Sequence, residues 1–321
     1  MTMQGLVGDI GGTHARFALT EGGKAQIREP RTYDNRDFAS IEAVIETYLD
    51  EARPAQPPTA AVLAVAGPVT NGAIRFTNLD WEISEERLHR EAGFAEARLI
   101  NDFAAQALGA RQVGPQGLRR IGPDMPGAPD SALAVLGPGT GFGLAGLARE
   151  GQREMVLATE GGHAGFAPGD ALELEIWRWF AHRRAHVSIE RVLSGPGLYD
   201  LYCALAEIRG QPGRLPDQRQ VQAAAVEGDE LAAVTVDRFC LILGATAGDI
   251  ALSLGARGGV YVTGGVAQGL ADQIVGGGFR RRFEAKGRFE GYMRAIPTWL
   301  ILEPYTALMG AATVLGSLEP A

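Results

Sequence analysis

Cysteine is scarce in this sequence. Cys203 and Cys240 are the only two cysteines among 321 residues, and neither belongs to a CxxC or CxxH motif. A disulfide framework or a zinc site needs several cysteines or histidines at short, regular spacings. The sequence therefore indicates neither a disulfide framework nor a zinc site, and two isolated thiols suit a protein of a reducing compartment.

Long basic runs and long apolar runs are also missing. The formal net charge is −8 and the longest basic run is Arg280–Arg282, so nothing supplies the positive field that binds nucleic acid. The longest uncharged helical run, Phe239–Gly248, is much shorter than the roughly 20 residues of a membrane span. The N-terminus lacks the basic start and apolar core of a signal peptide. We expect a soluble, cytoplasmic protein that acts on a small molecule, with no nucleic-acid or membrane partner.

The composition that remains is that of a globular protein. Apolar residues make up 46% of the chain and charged residues 21%. Because 321 residues are more than one hydrophobic core usually holds, two domains are expected. Strand patterns such as LVGDI and ARFALT precede a helical pattern over Phe38–Leu49 and an apolar, doubly buried strand at Ala60–Gly67. The turn-rich residues 109–130 are the best domain boundary.

Two glycine-rich turns, one in each half, follow the same plan. LVGDIGGTHARFAL (residues 6–19) and ALAVLGPGTGFGLAGLARE (residues 132–150) each place glycines and a threonine between two apolar runs. Such turns let backbone N–H groups wrap an anion, so a pair of them predicts a polyphosphate held by two related domains. The Walker A string is absent, and the GxGxxG match at Gly141, Gly143 and Gly146 precedes a strand pattern, so we take it as chance.

Asp9 is an acidic residue inside the first apolar run. It is either a turn residue that caps its own hairpin or a carboxylate that meets a cation or several donors, because an unpaired carboxylate is costly there. Mg²⁺ binds through one or two carboxylates together with phosphate oxygens. The pattern therefore predicts that Asp9 holds Mg²⁺ while Gly11, Gly12 and Thr13 contact phosphates.

A second group of candidates lies in the first half of the chain. Asn101 and Asp102 end the apolar run EARLIND and precede a predicted helix over Phe103–Ala110, at the end of a strand where open α/β sheets bind ligands. The alternative is a helix N-cap. Asn78, in the loop TNLDW, is a further polar candidate or part of an ordinary turn before the helix that Ser84 starts.

A third group lies in the second half. TEGGHAGFAP (residues 159–168) places Glu160 and His163 around a Gly-Gly turn, which is also typical of a surface turn with a satisfied histidine. SIERVLSGPG (residues 188–197) predicts a short helix that Gly-Pro-Gly ends. Its Glu190 is either a site residue or a first-turn carboxylate that complements the helix dipole.

Six motifs together carry a family resemblance. In order and spacing, LVGDIGGTHARFAL, LINDFAA, GPGTGFG, EGGHAGFAP, ERVLSGPG and GGVYVTGGV resemble those of the bacterial glucokinases of the hexokinase type. That family belongs to the sugar kinase, heat-shock protein and actin superfamily. The match covers residues 6–310 and includes KGRFEGYMRAIP and LMGAA. Each motif alone is weak, whereas six in register are specific.

The resemblance implies an α/β fold of two ribonuclease-H-like (actin-like ATPase) domains with an interdomain active-site cleft. We expect a small domain of residues 1–110 plus 300–321 with the first phosphate loop and the catalytic base. The C-terminal helix LMGAATVLGS should return to pack on it. Residues 111–299 should form the large domain, with the second phosphate loop and the sugar and adenosine contacts.

The resemblance also assigns roles by position. Asp102 resembles the base that accepts the proton of the sugar 6-hydroxyl. The expected sugar-binding residues are Asn78, Asn101, Asp102, Glu160, His163 and Glu190. The expected nucleotide-binding residues are Gly8, Asp9, Ile10, Gly11, Gly12, Thr13, Gly139, Thr140, Gly141, Gly264 and Gly265, with Asp9 also the metal ligand. For Gly264 and Gly265, a simple strand-to-helix turn is compatible with the same residues.

These assignments predict an ATP-dependent glucokinase that uses Mg²⁺ and forms glucose 6-phosphate. The family also implies a homodimer. The alternatives are a kinase for another hexose such as fructose, mannose or an amino sugar, an actin-like ATPase without a sugar acceptor, and a silent sugar sensor. One departure is His14, which follows Gly-Gly-Thr where the family usually has asparagine, and which bears on nucleotide affinity and its pH dependence.

Overall fold

The computed structural model describes residues 4–21, 26–76, 80–151 and 153–318. The backbone divides into two compact units, which are Met1–Gly114 with Glu303–Ala321, and Pro115–Leu302. We call them the first unit and the second unit. Each has its own β-sheet and its own hydrophobic core.

The first unit is built from strands and helices in the following chain order. They are β1 (Gln4–Ile10), β2 (His14–Glu21), β3 (Ile27–Asp34), α1 (Ile41–Ala52), β4 (Ala60–Val65), β5 (Ala73–Arg75), β6 (Glu82–Ser84), α2 (Glu85–Arg90), β7 (Glu96–Asn101) and α3 (Asp102–Ala110), with the chain's last helix, α13 (Thr306–Leu315), added from the C-terminus.

The sheet of the first unit has the order β3-β2-β1-β4-β7. The first three strands are antiparallel, and β4 and β7 run parallel to β1. Every residue of β4 is buried, as its unbroken apolar run predicts for a strand covered on both faces. Helix α13 packs on β1 through Leu308 and Leu315, which confirms the predicted return of the C-terminal helix.

The second unit contains the remaining elements. They are β8 (Leu118–Arg120), β9 (Leu133–Pro138), β10 (Phe142–Glu150), β11 (Arg153–Thr159), α4 (Ala171–Ala181), α5 (Ile189–Val192), α6 (Gly195–Ile208), α7 (Gln218–Glu227), α8 (Glu230–Leu254), β12 (Gly259–Val262), α9 (Gly265–Gly269), α10 (Ala271–Gly276), α11 (Phe279–Glu284), α12 (Glu290–Arg294) and β13 (Thr298–Ile301).

The sheet of the second unit repeats the plan of the first. Its order is β11-β10-β9-β12-β13-β8, with β9 to β11 antiparallel and β12 and β13 parallel to β9. Strand β8 is an added antiparallel edge strand inside the stretch predicted as turns. Because β13 lies in this sheet, residues 300 and 301 belong to the second unit, whereas the expected small domain resumed at 300.

The Gly-Pro-Gly motif starts a helix in the structure. Helix α5 ends at Val192, and α6 begins at Gly195 with the Ser194 hydroxyl accepting a hydrogen bond from the Gly197 N–H at 3.0 Å. Proline suits the first turn of a helix because its missing N–H would have no partner there. The predicted short helix is present as α5, but the prediction that Gly-Pro-Gly ends it is wrong.

Helix α8 is the longest element of the second unit. Among the described residues it is the one helix long and apolar enough to cross a membrane, and 72% of its most apolar window is buried within the protein. It packs against α11, α7 and α6, and its side chains Phe239 and Leu243 are fully buried. Its apolar length therefore serves the core of this unit.

Candidate active site

The first glycine turn joins β1 to β2. The Gly11 N–H donates to the His14 carbonyl at 2.9 Å and closes the turn. Buried Asn35 holds it from outside, because its Nδ2 donates to the Gly11 carbonyl at 2.8 Å and its backbone N–H to the Thr13 carbonyl at 2.9 Å. Within the described part of the chain, the N–H groups of Gly12 and Thr13 have no acceptor. The turn therefore has donors available for an anion.

Gly8 and Ile10, also predicted to bind the nucleotide, lie in β1 just before this turn and pack inside the first unit. Gly8 is buried against the side chains of Leu63 and Phe17. Ile10 is fully buried, so only its backbone could contact a nucleotide. The face of β1 that carries Gly8 and Ile10 therefore packs in the core.

Asp9 has a cationic partner that sequence reasoning missed. The Arg16 guanidinium donates to Asp9 Oδ2 at 3.0 Å from the facing position on β2. The Asp9 side chain is 15% exposed, and burial raises the pKa of its carboxyl, while the charge and hydrogen bond of Arg16 lower it in part. The expectation of a cation or donors beside Asp9 is confirmed for Arg16. Alternating strand positions were the available signal for this pair.

Replacing Asp9 by asparagine should leave the fold at least as stable. A carboxyl whose pKa is raised by folding weakens the fold as pH rises above the ordinary value of that group, so the variant avoids this cost at pH 7.5 and gains nothing at acidic pH. We expect an unchanged or higher Tm at pH 7.5 by calorimetry without nucleotide or divalent ions. The predicted role of Asp9 as a Mg²⁺ ligand further implies a KM for Mg-ATP raised about tenfold. Exposed Asp37→Asn is the control, and a Tm several degrees lower in Asp9→Asn would make Asp9 a structural residue.

Asn101 and Asp102 lie at the junction of β7 and α3. The Asn101 Oδ1 accepts from the Ala104 N–H at 3.0 Å, which makes Asn101 the N-cap, and its Nδ2 donates to the Gly67 carbonyl at 3.3 Å. Asp102 Oδ1 accepts from the Phe103 N–H at 2.8 Å. The N-cap alternative is thus correct for Asn101, and Asp102 lies in the first helical turn.

The sheet places this junction at the same edge as the first glycine turn. Ile10 pairs with Val65, and Val65 pairs with Asn101, in three parallel strands. The carboxyl ends of β1 and β7 are therefore two strand spacings apart, about 10 Å. One edge of the first unit thus presents both the candidate phosphate turn and the candidate base, as parallel strands of an open sheet do with their ligands.

The second glycine turn joins β9 to β10. The Gly139 N–H donates to the Gly141 carbonyl at 2.8 Å, and the Gly195 N–H at the start of α6 donates to the Gly139 carbonyl at 2.8 Å. In the described ranges, the N–H groups of Thr140 and Gly141 have no acceptor. An alanine Cβ at Gly139 would meet no atom within 4 Å. This turn can therefore accommodate an anion, as the first one can.

The structure brings together three predicted sugar ligands of the second unit. His163 Nε2 lies 4.0 Å from Glu160 Oε2, and His163 Nδ1 lies 3.9 Å from Glu190 Oε1. An isolated antiparallel bridge between Gly165 and Ser188 aligns the two segments that carry them. Their side chains are 57%, 61% and 29% exposed for Glu160, His163 and Glu190, so all three can reach a ligand.

The remaining nucleotide candidates follow β12. Gly264 has a φ of +95°, and a Cβ there would collide with the Pro138 carbonyl, so the strand-to-helix turn itself requires glycine. Gly265 has open space within 4 Å of an added Cβ. Because β12 is parallel to β9 and adjacent to it, this turn and the second glycine turn share one edge of the sheet. Asn78 lies outside the described residues.

The comparison with known proteins decides the family. The glucokinase family matches residues 6–318. The chain belongs to the glucokinase family. A glucokinase from Caulobacter sp. (strain K31) is 51% identical over 313 residues, covering 97% of this chain and 94% of that protein. The predicted family and enzyme class, an ATP-dependent glucose kinase, are confirmed.

Solved structures confirm the fold. A glucokinase from an Antarctic psychrotroph has a TM-score of 0.89 at 36% identity and covers 98% of this chain and 99% of that one. A ROK family glucokinase from Streptomyces griseus, in complex with glucose and AMPPNP, has a TM-score of 0.65 at 19% identity over 98% of this chain and 99% of that one. The repeated strand order of the two units agrees with the two-domain actin-like ATPase fold.

Proposed function

We propose that this chain transfers the γ-phosphoryl group of ATP to the 6-hydroxyl of D-glucose, with Asp102 as the general base. The observation that carries the substrate is the grouping of Glu160, His163 and Glu190 in the second unit, within 4.0 Å of one another in two pairs. Acidic and imidazole side chains at this spacing suit the several hydroxyls of a neutral sugar. Membership of the glucokinase family supports the same reaction.

The proposed chemistry asks the protein mainly to position its substrates. Phosphoryl transfer passes through a loose transition state, so a base at the attacking hydroxyl contributes a limited part of the rate, about 10²–10⁴-fold. Asp102 takes up the proton of the 6-hydroxyl through its carboxylate. The hydrogen bond from the Phe103 N–H to Oδ1 orients that carboxylate at the start of α3.

The glycine turns are proposed to hold the phosphates. The N–H donors come from Gly12, Thr13, Thr140 and Gly141, and both threonines are exposed. Asp9 fits Mg²⁺ because it is a hard oxygen donor in a poorly solvated position. Bound Mg²⁺ would neutralise charge on the phosphates, with Asp9 as its protein ligand.

Asn101 and Asn78 are proposed as additional sugar ligands. The Asn101 amide already bonds to the Gly67 carbonyl and caps α3, so its remaining amide hydrogen is the group available to a hydroxyl. A site that pairs each hydroxyl with a side chain rejects a sugar lacking one, because the site group is then left unpaired. We also propose a homodimer of the cytoplasm, since the family implies it and both cysteines are free thiols.

The first experiment is Mg-ATP-dependent ADP release with glucose, mannose, fructose, glucosamine, N-acetylglucosamine and no sugar. Release stimulated most by glucose, with near silence without sugar, supports the proposal. Preference for another sugar would reassign the substrate and keep the base. ADP release at the same rate with and without sugar would indicate an ATPase. Sugar binding without ADP release would indicate a sugar sensor. Light scattering of the same sample measures the oligomeric state.

A further inference from the structure

Glu190 makes a contact that a sugar ligand does not need. Its Oε2 accepts a hydrogen bond from the Phe142 N–H at 2.9 Å, the first residue after the second glycine turn. Its other oxygen, Oε1, faces His163 Nδ1 at 3.9 Å. The Glu190 carboxylate therefore uses one oxygen to bond to the residue that follows the second glycine turn, and its other oxygen faces the proposed sugar ligand His163.

Gly141 leaves the space into which this carboxylate fits. A Cβ at position 141 would overlap Glu190 Oε2, whereas a Cβ at Gly139, two residues earlier, would meet nothing within 4 Å. The backbone of Gly141 does not have a positive φ, so an L residue can adopt its conformation. An alanine at 141 would therefore have to displace the Glu190 carboxylate, which ends a flexible side chain.

The segment that carries Glu190 holds the turn at a second point. The Gly195 N–H donates to the Gly139 carbonyl at 2.8 Å, so residues 190 and 195 bond to opposite ends of the same turn. A shift of the Glu190 carboxylate changes the acceptor of Phe142 directly. Binding at Oε1 and the shape of the turn are therefore mechanically linked within the second unit.

We infer that Glu190 is a positioning residue for the second phosphate turn, and that Gly141 belongs to the sugar site through Glu190. The inference rests on the proposed function, in which Glu190 binds a sugar hydroxyl. It assigns Gly141 a role different from that of Gly139, although both are glycines of one motif. It also makes glucose and nucleotide affinities interdependent, and such coupling is reciprocal.

The test measures glucose affinity by calorimetry in a double-mutant cycle. Gly141→Ala should weaken glucose binding about tenfold, because the added methyl displaces the carboxylate. The same change in a Glu190→Ala background should alter glucose affinity less than about twofold, since no carboxylate remains to displace. Gly291→Ala, in α12 of the same unit and with nothing within 4 Å of an added Cβ, is the matched control and should keep glucose affinity within about twofold of the parent. Full additivity, or an unaffected Gly141→Ala protein, would overturn the inference.

A second measurement does not depend on the folding of Gly141→Ala. Without sugar, Glu190→Ala should weaken binding of a non-hydrolysable ATP analogue about fivefold to tenfold, because the Phe142 N–H loses its acceptor. Glu190→Gln should restore nucleotide affinity, since a carboxamide oxygen accepts the same bond. Glu175→Ala, which removes an exposed glutamate of α4, should leave nucleotide affinity unchanged. Equal nucleotide affinity in Glu190→Ala and the parent would contradict the link.

The parent protein separates failure of this inference from failure of the proposed function. If the parent binds both ligands and phosphorylates glucose while the cycle is additive, only the link through Glu190 is wrong. If the parent binds neither glucose nor the analogue, the proposed function is wrong and the inference fails with it.

Discussion

Replacing Asp102 by asparagine should lower kcat for glucose phosphorylation about 10²–10⁴-fold and leave glucose affinity within a few-fold of the parent. The amide cannot take up the proton of the 6-hydroxyl, but its oxygen can still accept the hydrogen bond that the Phe103 N–H gives to Oδ1. The helix start is also kept, because Asn101 is the cap. Steady-state kinetics and glucose calorimetry measure the two quantities separately.

The matched control for this variant is Glu86→Gln. Glu86 is another first-turn carboxylate of a helix in the first unit, its side chain is 83% exposed, and it has no proposed role in the reaction. The Glu86→Gln substitution also removes a negative charge from the start of a helix, and it should leave kcat unchanged. A near-normal kcat in Asp102→Asn would show that Asp102 is not the base.

Replacing Glu160 by alanine should raise the KM for glucose about ten- to a hundredfold, the usual range for loss of a hydrogen bond to a charged group. The KM for ATP should change little. Glu160 precedes the turn Gly161–His163 without capping it through its side chain, and that side chain is 57% exposed. Its loss therefore removes a ligand without removing a structural bond of the turn.

Glu175→Ala is the control for Glu160→Ala, because it removes an exposed glutamate from α4 of the same unit. It should leave both KM values unchanged. A loss of equal size for glucose and ATP in Glu160→Ala, together with a lower Tm, would mean that the variant misfolds. An unchanged KM for glucose would remove Glu160 from the proposed sugar site.

The Asp102→Asn and Glu160→Ala substitutions test different parts of the reaction. Asp102 is proposed to act on the reacting hydroxyl, so its loss lowers kcat. Glu160 is proposed to act on a hydroxyl that does not react, so its loss raises KM. This difference is what the general relation between transition-state and ground-state binding predicts.

The sequence by itself determined the family, the repeated hairpin at the start of each half and the main site motifs. Glycine turns between apolar runs are local patterns, so they can be recognised without a fold. The strand at Ala60–Val65 followed from its continuous apolar residues, and the C-terminal helix from its match to the family. Gly-Pro-Gly is compatible with either end of a helix, and Ser194 at the cap position makes this motif the start of α6.

Tertiary structure alone decided which partners these motifs take. Arg16 reaches Asp9 from the facing position on the neighbouring strand, Asn35 holds the first turn from 24 positions away, and Glu190 bonds to Phe142 across 48 positions. The Asp9–Arg16 pair joins facing positions of one hairpin, whereas the Asn35 and Glu190 contacts follow no helix or strand period, so no local pattern predicts those two. They arise because the sheets bring distant segments to one edge, where a buried or half-buried polar group must find a partner.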